Sequence, residues 1–371
     1  MNISDDDRIV MTLDAGGTNF VFSAIQHKRQ IIGDIILPSG AHDLNTCLNT
    51  ILEGFEAVKA QIPMAPSAIS FAFPGPADYR TGIIGDLANL PAFRGGVALG
   101  PMLEDHFQIP VFIGNDGDLF AYGEAMMGLL PEVNKRLEKA GIDKRYNNLL
   151  GITLGTGFGG GIVINNQLCE GDNAAGGEIW AMRNFMDTRL TAEEGVSIRA
   201  VQRSYSQKAG IEKLLTPKDI YDIAIGKVAG NRDAALYAYD EMALGIAESL
   251  ANAATLLDGV IVIGGGIAGA YSLIASKIIE HLNGTIENFE GEKLPRLASK
   301  VYNIDDEKDM QNFLNHDIKE VAVPFSDRKV SYIADKRLPM GLSRLGTSQA
   351  IALGAYAIAL SKIDYDEKVL K

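Results

Sequence analysis

The sequence predicts an α/β fold in which one lobe is duplicated and a cleft lies between the two copies. The first observation is a short apolar run, residues 8–13, that leads through a glycine-containing turn into a returning run at 20–25. The second is a repeat of this pattern, with apolar runs at 149–154 and 161–164 on either side of glycines. β-forming runs that flank a glycine turn are typical of hairpins. Two such hairpins in one chain indicate two copies of a phosphate-holding device.

Further helices and strands are predicted from the spacing of apolar residues. A helix shows apolar residues three and four positions apart, whereas a buried strand is a short apolar run. The predicted elements are helices at 43–61 and 234–257 and strands at 68–73, 111–114, 149–154 and 259–263.

The chain is long enough for two domains of ordinary size. We predict a small N-terminal α/β lobe at 1–115, completed by a C-terminal helix at 347–371, and a large α/β lobe at 116–346. Two segments of the large lobe, 131–147 and 284–344, are rich in charge and weakly periodic. We expect these segments to be surface additions.

Composition and charge exclude several classes of function. Hydrophobic residues make up 47% and charged residues 22% of the 371 residues, which is typical of a globular protein. No apolar run reaches the length of a membrane helix, and the N-terminus lacks a signal-peptide pattern. The two cysteines favour a reducing compartment, and the formal charge of −13 argues against a broad basic surface for nucleic acid. We therefore expect a cytoplasmic protein that binds neither nucleic acid nor membrane.

The first glycine turn, Asp14-Ala-Gly-Gly-Thr-Asn, has the composition of a phosphate-binding loop. Glycines allow a phosphate to approach the backbone closely, and a threonine hydroxyl adds a donor. On this interpretation Gly16, Gly17, Thr18 and Asn19 hold phosphate, and Asp14 holds Mg²⁺ through water. An ordinary tight hairpin turn explains this segment equally well.

The second turn, at 155–161, carries five glycines in seven residues, which is hard to explain as a turn alone because each glycine weakens the adjacent strands. We expect Gly155, Thr156 and Gly157 to contact phosphate. A third cluster, 264–266, follows an apolar strand and opens a helix. The glycines allow either close packing of the chain or close approach of adenosine to the backbone; they are Gly264, Gly265 and Gly266.

These turns and several shorter motifs resemble those of the ROK family of sugar kinases, in the actin–hexokinase–Hsp70 fold group. The matching motifs are Asp14-Ala-Gly-Gly-Thr-Asn, Ala88-Asn89-Leu90-Pro91, Asn115-Asp116 nine residues ahead of Glu124, Leu154-Gly-Thr-Gly-Phe-Gly-Gly-Gly and Val262-Ile-Gly-Gly-Gly. The likeness covers about residues 9–282 and again 345–360. It implies a two-lobed actin-like (ribonuclease H-like) ATPase fold with duplicated α/β domains and an interlobe cleft. Small residues in the last matching segment predict that the C-terminal helix crosses another helix closely.

Asp116 follows a predicted strand and opens a helix. Phosphoryl transfer needs the acceptor hydroxyl aligned with the γ-phosphate and its proton removed late. A carboxylate at a strand end can do both, and no histidine lies between His106 and His281. A helix N-cap at Asp116, with Asn115 in a turn, is the alternative from the residues alone. The resemblance implies that Asp116 is the general base.

The resemblance also implies a set of sugar-contacting residues. They are Gly75, Asn89, Asn115, Asp116, Glu178 and Glu193. A carboxylate suits this role because it accepts hydrogen bonds from two neighbouring hydroxyls at once. Glu194 is an alternative to Glu193, and both Glu178 and Glu193 could instead be solvated helix charges. A simple turn explains Gly75 equally well.

The sequence departs from the family where many members carry Gly-Glu-x-Gly-His and a cysteine-rich zinc motif. Here Glu178 is followed by Ile179, Trp180 and Ala181, so Trp replaces Gly and Ala replaces His. No Cys or His occurs from 176 to 201. Because tetrahedral zinc sites use Cys or His ligands, we expect no structural zinc. Trp180 is either a core residue or a ring that stacks on the sugar.

The sequence therefore predicts an ATP- and Mg²⁺-dependent sugar kinase, glucokinase-like or fructokinase-like, for a hexose or a related sugar. One alternative is a catalytically reduced sugar-binding or regulatory ROK protein without a DNA-binding domain. A second is a ROK transcriptional regulator, which we disfavour because only Met1–Asp7 precede the first strand. Besides its small-molecule sugar, we expect the chain to bind a second copy of itself as a homodimer.

Overall fold

The computed structural model of the protein describes residues 5–87, 90 and 92–369. Its contacts define two compact units. The first comprises Met1–Gly128, Gln167–Gly177 and Leu345–Lys371, and the second comprises Leu129–Asn166 and Glu178–Arg344. The lobe boundaries at 115/116 and 346/347 stay a prediction, because units defined by contacts need not coincide with domains.

The two units contain nineteen described strands and ten described α-helices. The strands are β1 (Val10–Ala15), β2 (Asn19–Gln26), β3 (Arg29–Gln30), β4 (Ile35–Pro38), β5 (Ala68–Ala72), β6 (Ala77–Asp78), β7 (Ile83–Ile84), β8 (Val97–Ala98), β9 (Val111–Gly114), β10 (Leu149–Leu154), β11 (Phe158–Ile164), β12 (Gln167–Leu168), β13 (Val260–Gly264), β14 (Thr285–Glu287), β15 (Lys293–Pro295), β16 (Lys300–Asn303), β17 (Ile318–Ala322), β18 (Lys329–Ile333) and β19 (Arg337–Leu342). The helices are α1 (Leu44–Lys59), α2 (Leu99–Phe107), α3 (Asp116–Met127), α4 (Leu129–Lys139), α5 (Ile198–Ala209), α6 (Pro217–Ala224), α7 (Arg232–Leu257), α8 (Tyr271–Leu282), α9 (Glu307–Leu314) and α10 (Thr347–Val369).

The first unit is built on a sheet in the order β3-β2-β1-β5-β9, with β4 paired to β2. The predicted glycine hairpin is the antiparallel pair β1 and β2, whereas β1, β5 and β9 are parallel. The helix α1, capped by the Asp43 side chain, buries its apolar face against aromatic residues of the sheet. For example, the rings of Phe22 and Phe55 meet edge-on with centroids 5.2 Å apart. The carboxyl ends of three neighbouring parallel strands therefore meet at one edge of this sheet.

The C-terminal helix α10 packs against α3 and against the strands β1, β5 and β9. A Cβ atom on Gly123 would overlap the carbonyl group of Ala350, and one on Gly354 would overlap that of Leu119. Glycine is thus required on both helices where they cross. The close crossing predicted for the C-terminal helix is confirmed.

The second unit repeats this arrangement. Its strands β10 and β11 form an antiparallel hairpin around the second glycine turn, and β10, β13, β19 and β16 follow as parallel neighbours. The long helix α7 packs with α8 in a core of small and branched apolar residues. The order β11-β10-β13-β19 matches the order β2-β1-β5-β9 of the first unit. The predicted duplication of an α/β unit is therefore confirmed.

Both segments that were predicted to be surface additions contribute to the core. In 131–147, α4 buries Val133 and Leu137 on one face. In 284–344, β19 and β16 are parallel strands of the main sheet. The other strands of 284–344, namely β14, β15, β17 and β18, are exposed apart from Ile333, as predicted. Arg337 is an exception to the charge pattern, because this arginine is buried and its guanidinium donates to backbone carbonyls. A charged side chain can therefore be buried where backbone carbonyl groups accept its hydrogen bonds.

Element boundaries elsewhere agree closely with the predictions. The strands β9 and β10 begin and end at the predicted residues. The strand after the second glycine turn begins at Phe158 rather than at the predicted residue 161, because the glycines continue the ladder opposite β10. Among the helices that the structure describes, none combines the length and apolar character needed to span a bilayer.

Candidate active site

Residues at or just after the carboxyl ends of three parallel strands in the first unit line one cavity. Asp14 lies at the end of β1, Gly75 follows β5, and Asp116 follows β9. The cavity has a volume of about 920 Å³ and is lined by all three residues. Ligands of α/β sheets bind beyond the carboxyl ends of the strands. The fold therefore brings together three of the residues predicted from the sequence.

Asp116 is the first residue of α3 and not its N-cap. The cap is Asn115, whose side-chain oxygen accepts a hydrogen bond from the Gly117 N–H at 2.8 Å. The Asp116 carboxylate is exposed, and its Oδ1 also accepts from the Gly117 N–H at 2.8 Å. The alternative in which Asp116 serves only as the cap is therefore wrong. Asn115 performs the capping role, which leaves one oxygen of Asp116 free for a ligand among the described residues.

A buried serine holds the first glycine turn in place. The Ser39 hydroxyl donates to the Gly17 carbonyl at 2.8 Å, and the Ser39 N–H donates to the Thr18 carbonyl at 2.9 Å. These bonds use carbonyl groups, and the Thr18 side chain remains exposed. Ser39 thus holds the turn through its carbonyl groups.

Glu193 holds the second glycine turn. Its Oε2 accepts a hydrogen bond from the Phe158 N–H at 3.0 Å, and a Cβ atom on Gly157 would lie 2.6 Å from the same oxygen. Arg199 donates to Glu193 Oε1 at 2.6 Å and to the Thr156 carbonyl at 3.3 Å. A side chain at Gly157 would therefore displace the Glu193 carboxylate, and Glu193 and Arg199 together fix the turn.

The structure separates Glu193 from Glu194, which the sequence left as alternatives. Glu194 contacts Arg199 and Arg203, with distances of 2.8 and 3.0 Å. Hydrogen bonds from these two arginines lower the pKa of Glu194 below its usual value. Only Glu193 contacts the glycine turn directly, and neither residue is a solvated helix charge without a partner.

In the third glycine cluster, Gly265 is needed for close packing, whereas Gly266 has open space beside it. Gly265 has a φ of 94° and a Cβ atom there would overlap the backbone of Leu154, so packing alone requires glycine. Gly264 ends β13, and Gly266 opens a short 3₁₀ helix.

One glycine in each cluster has no steric explanation within the described structure. A Cβ atom on Gly17, Gly155 or Gly266 would find no described atom within 4 Å, and none of the three has a positive φ. The fold would accept a side chain at each position. The space beside these backbones suits a ligand that approaches them closely, as a nucleotide does.

Glu178 and Trp180 lie together on the surface of the second unit. Trp180 is 42% exposed, so it is not a core residue. Its indole N–H donates to the Glu178 carboxylate. Trp180 thus fixes one oxygen of the carboxylate that the resemblance assigns to sugar binding, whereas the Ala181 side chain offers no donor.

Hydrogen bonds from Asn184 organise the segment where many ROK proteins have their zinc motif. The buried Asn184 side chain accepts from the N–H groups of Met186 and Asp187 at 2.8 and 3.2 Å and donates to the Thr191 carbonyl at 3.3 Å. In the described part of the chain, no group of three or more Cys, His, Asp or Glu side chains is placed to hold a metal ion. The absence of structural zinc stays a prediction.

The donor set of the cavity fits Mg²⁺ bound together with a phosphorylated substrate. The Asp14 carboxylate is exposed and accepts no hydrogen bond from the described residues. Magnesium sites of this kind use one or two carboxylates, several waters and the phosphates themselves. Asp14 is therefore free to act as the carboxylate ligand.

Three functional positions were not identified from the sequence. Arg199 and Ser39 act through backbone groups distant in sequence, whereas the backbone partners of Asn184 lie two, three and seven residues after it. Only Arg199 had a local signal, since two acidic residues stand five and six positions before it. The predicted sugar-contacting residue Asn89 lies outside the described residues.

The sequence matches the ROK family over residues 10–301, and the chain belongs to this family. It is similar to a glucokinase from Parabacteroides distasonis of known crystal structure, with 52% identity, a TM-score of 0.89 and coverage of 97% of this chain and 99% of that one. It also resembles the glucokinase of Halalkalibacterium halodurans, with 27% identity across 79% of this chain and 88% of the relative. The N-acetyl-D-glucosamine kinase of Aliivibrio salmonicida is 27% identical across 72% of this chain and 89% of its own length.

Family membership and these relatives support sugar-kinase activity for the chain, with ATP as the phosphoryl donor. The predicted fold class, an actin-like ATPase fold of duplicated α/β units, is also confirmed.

Proposed function

We propose that the protein transfers the γ-phosphoryl group of ATP to a hydroxyl of a hexose or a related sugar, with Asp116 as the general base. The observation that supports this most is the convergence of Asp14, Gly75 and Asp116 at three adjacent parallel strand ends around one cavity. Such a transfer requires a carboxylate that holds a metal, a backbone segment that a substrate can approach closely and a second carboxylate with a free oxygen.

In this mechanism Asp116 orients the sugar hydroxyl and accepts its proton as the oxygen attacks phosphorus. Its position at the first residue of α3 is held by the Asn115 cap. The space beside Gly17 and Gly155 is open to phosphate oxygens. The Gly155 N–H already donates to the Gly157 carbonyl at 3.0 Å, so the Gly17 N–H is the donor that would stabilise charge on the transferring group. Asp14 would hold Mg²⁺, which neutralises charge on the phosphates when bound.

Glu178 is proposed to accept hydrogen bonds from sugar hydroxyls, with Gly75 and Asn115 as further contacts. Glu193 is proposed to contribute by holding the second phosphate turn, since both of its oxygens are engaged there. The predicted sugar contact by Glu193 remains open, because a carboxylate oxygen accepts more than one hydrogen bond.

A catalytically reduced sugar-binding protein is the alternative. The retention of Asp14, Thr18, Asp116 and an accessible second glycine turn argues against it. Between substrates, glucose and N-acetylglucosamine are both represented by the relatives, and fructose, mannose and allose are further candidates from the altered sugar site.

Measurement of ADP release across a panel of these sugars tests the proposal. We expect sugar-dependent ADP release in Mg²⁺ and little release without sugar, because water is a poor substitute for an aligned hydroxyl. The purified protein should hold no stoichiometric zinc, and chelation followed by Mg²⁺ should restore full activity.

No ADP release with any sugar would favour the sugar-binding alternative. Elemental analysis that finds one zinc per chain would contradict the metal expectation without affecting the reaction assignment.

Trp180→Phe should reduce kcat/KM for the preferred sugar by about tenfold, mainly through KM. The change keeps an aromatic ring but removes the N–H that fixes Glu178, and a hydrogen bond to a charged group contributes about 1.5 kcal/mol at the low end. Steady-state kinetics on the sugar panel measures this effect. The double change of Trp180→Gly with Ala181→His should alter the ranking of sugars. An unchanged ranking would show that these positions do not determine specificity.

A further inference from the structure

The cavity of the first unit extends well beyond the residues proposed for catalysis. Asp14 lines one end of it, and Lys28 and Arg29 line the other. Asp14 lies opposite Val21 in the ladder of β1 and β2, and Lys28 lies in the turn beyond Ile25. Because Val21 and Ile25 alone are about 13 Å apart along an extended strand, the backbone at Lys28 is farther than this from Asp14. A volume of about 920 Å³ leaves room there for a second ligand beside a hexose.

The turn between β2 and β3 keeps two large side chains at positions that favour glycine. His27 and Lys28 have φ values of 50° and 63°. A two-residue hairpin turn with positive φ at both positions most often carries Asn or Gly, because other side chains crowd the backbone there. The His27 ring contacts the Asp7 carboxylate at 2.9 Å, which gives this side chain a role in the fold. No contact with a described residue gives Lys28 such a role.

The far end of the cavity carries positive charge that the fold does not neutralise. Within the described structure, neither Lys28 nor Arg29 forms an ion pair or a side-chain hydrogen bond. The carboxylate nearest to them in sequence, Asp34, accepts a hydrogen bond from Gln30 at 2.7 Å. An anion that carries no metal is therefore attracted to this end of the cavity and repelled by the carboxylates proposed for catalysis at the other.

Between the two ends, the cavity wall offers hydroxyl groups and apolar surface. Thr12 and Ser23 lie opposite each other on β1 and β2, and their hydroxyl oxygens are 2.7 Å apart. One hydroxyl donates within this pair, so the other keeps its own proton as a donor. Ile25 and Ile351 add apolar surface to the same wall. A ligand that matches these features has an anionic group and a body with both hydroxyl groups and apolar C–H faces.

We propose that Lys28 and Arg29 bind the phosphate group of a phosphorylated sugar, whose ring lies against the Thr12 and Ser23 hydroxyl groups. An ammonium group and a guanidinium group together provide strong charge-assisted donors for phosphate oxygens. The choice of a sugar phosphate rests on the proposed function, because that reaction would form such a compound at the other end of the same cavity. The site accounts for a lysine that is retained at a strained turn position without a partner in the described structure.

Isothermal titration calorimetry with glucose 6-phosphate, in a chelator and without nucleotide, tests this site. Lys28→Gln combined with Arg29→Gln should weaken binding at least about tenfold, because hydrogen bonds to charged groups are lost. Arg328→Gln combined with Lys329→Gln is the matched control, since these exposed neighbours also lie at a hairpin but outside this cavity. The control and Asp116→Asn should bind like the unmodified chain. Absence of binding to the unmodified chain, or an affinity that depends on Asp116 and not on the two cations, would overturn the proposal.

Lys28→Gly separates ligand binding from folding. Glycine accepts the φ of 63° without strain, so this variant should unfold at the same temperature as the unmodified chain or a higher one. It should nevertheless bind glucose 6-phosphate more weakly, and an unchanged affinity would contradict the role of Lys28.

Titration with inorganic phosphate identifies the source of the anion. The unmodified chain should bind it more weakly than glucose 6-phosphate, because inorganic phosphate has no ring to contact the wall. Equal affinity for the two probes would overturn the assignment to a sugar phosphate. These measurements require no turnover, so binding that persists in a chain without ADP release would contradict only the proposed function.

Discussion

Asp116→Asn should lower kcat for sugar phosphorylation by about 10³-fold while sugar affinity changes little. General base catalysis contributes about 10²–10⁴-fold, and the amide conserves shape but cannot accept the proton. The Asn115 cap does not depend on the Asp116 charge, so the start of α3 should remain intact. ADP release measures turnover, and isothermal titration calorimetry with the sugar alone measures affinity.

Asp34→Asn is the matched control for this prediction. Asp34 lines the same cavity, and its side chain accepts a hydrogen bond from Gln30 at 2.7 Å. Loss of a carboxylate from the cavity wall alone should therefore leave turnover within a few-fold of normal. Near-normal turnover in Asp116→Asn would reject the base assignment, and equal losses in both variants would indicate a general effect of cavity charge.

Local patterns determined which parts of the fold could be predicted. The two hairpins were visible in the sequence because a glycine turn between two β-forming runs needs only nearby residues. The close crossing of α10 was visible for the same reason, since Gly354 and its neighbours repeat at helical spacing. The role predicted for Asp116 came from the family resemblance, because the residues alone also fitted a helix N-cap. The meeting of parallel strand ends at one edge of a sheet explains why Asp116 lies beside Asp14 and Gly75.

Features that depend on distant partners were not predictable from the sequence. Arg337 has the charge of a surface residue, and its burial is explained by partners that include the Phe313 and Asn315 carbonyls and the Asp335 carboxylate. The role of Glu193 depends on the Phe158 N–H, 35 residues away. Similarly, the Trp180 indole was interpreted as a core or stacking ring, because its N–H bond to Glu178 needs a 3₁₀ turn that apolar spacing does not indicate.

Gly17→Val should cause the second large effect, a loss of kcat/KM for ATP, because Gly17 has open space beside it that a phosphate could occupy. No described atom lies within 4 Å of a Cβ atom at this position, and its φ is not positive, so the variant should fold with nearly unchanged thermal stability. If the turn holds phosphate, the added side chain occupies the space that the phosphate needs. A displacement of reacting groups by about 1 Å can cost about 10²-fold, and we expect kcat/KM for ATP to fall by at least about that factor.

Gly33→Val is the matched control, because Gly33 also has open space and an ordinary φ but lies outside all three glycine clusters. Calorimetric unfolding should therefore give the same stability for both variants. ATP-dependent kinetics should be impaired only in Gly17→Val. Normal ATP kinetics in Gly17→Val would mean that the first turn is an ordinary hairpin turn, which is the alternative that the sequence left open. Equal loss in both variants would instead indicate an indirect effect of added bulk. A selective loss in Gly17→Val, with both variants equally stable, would identify the turn as a ligand site, since the side chain obstructs nothing else in the described structure.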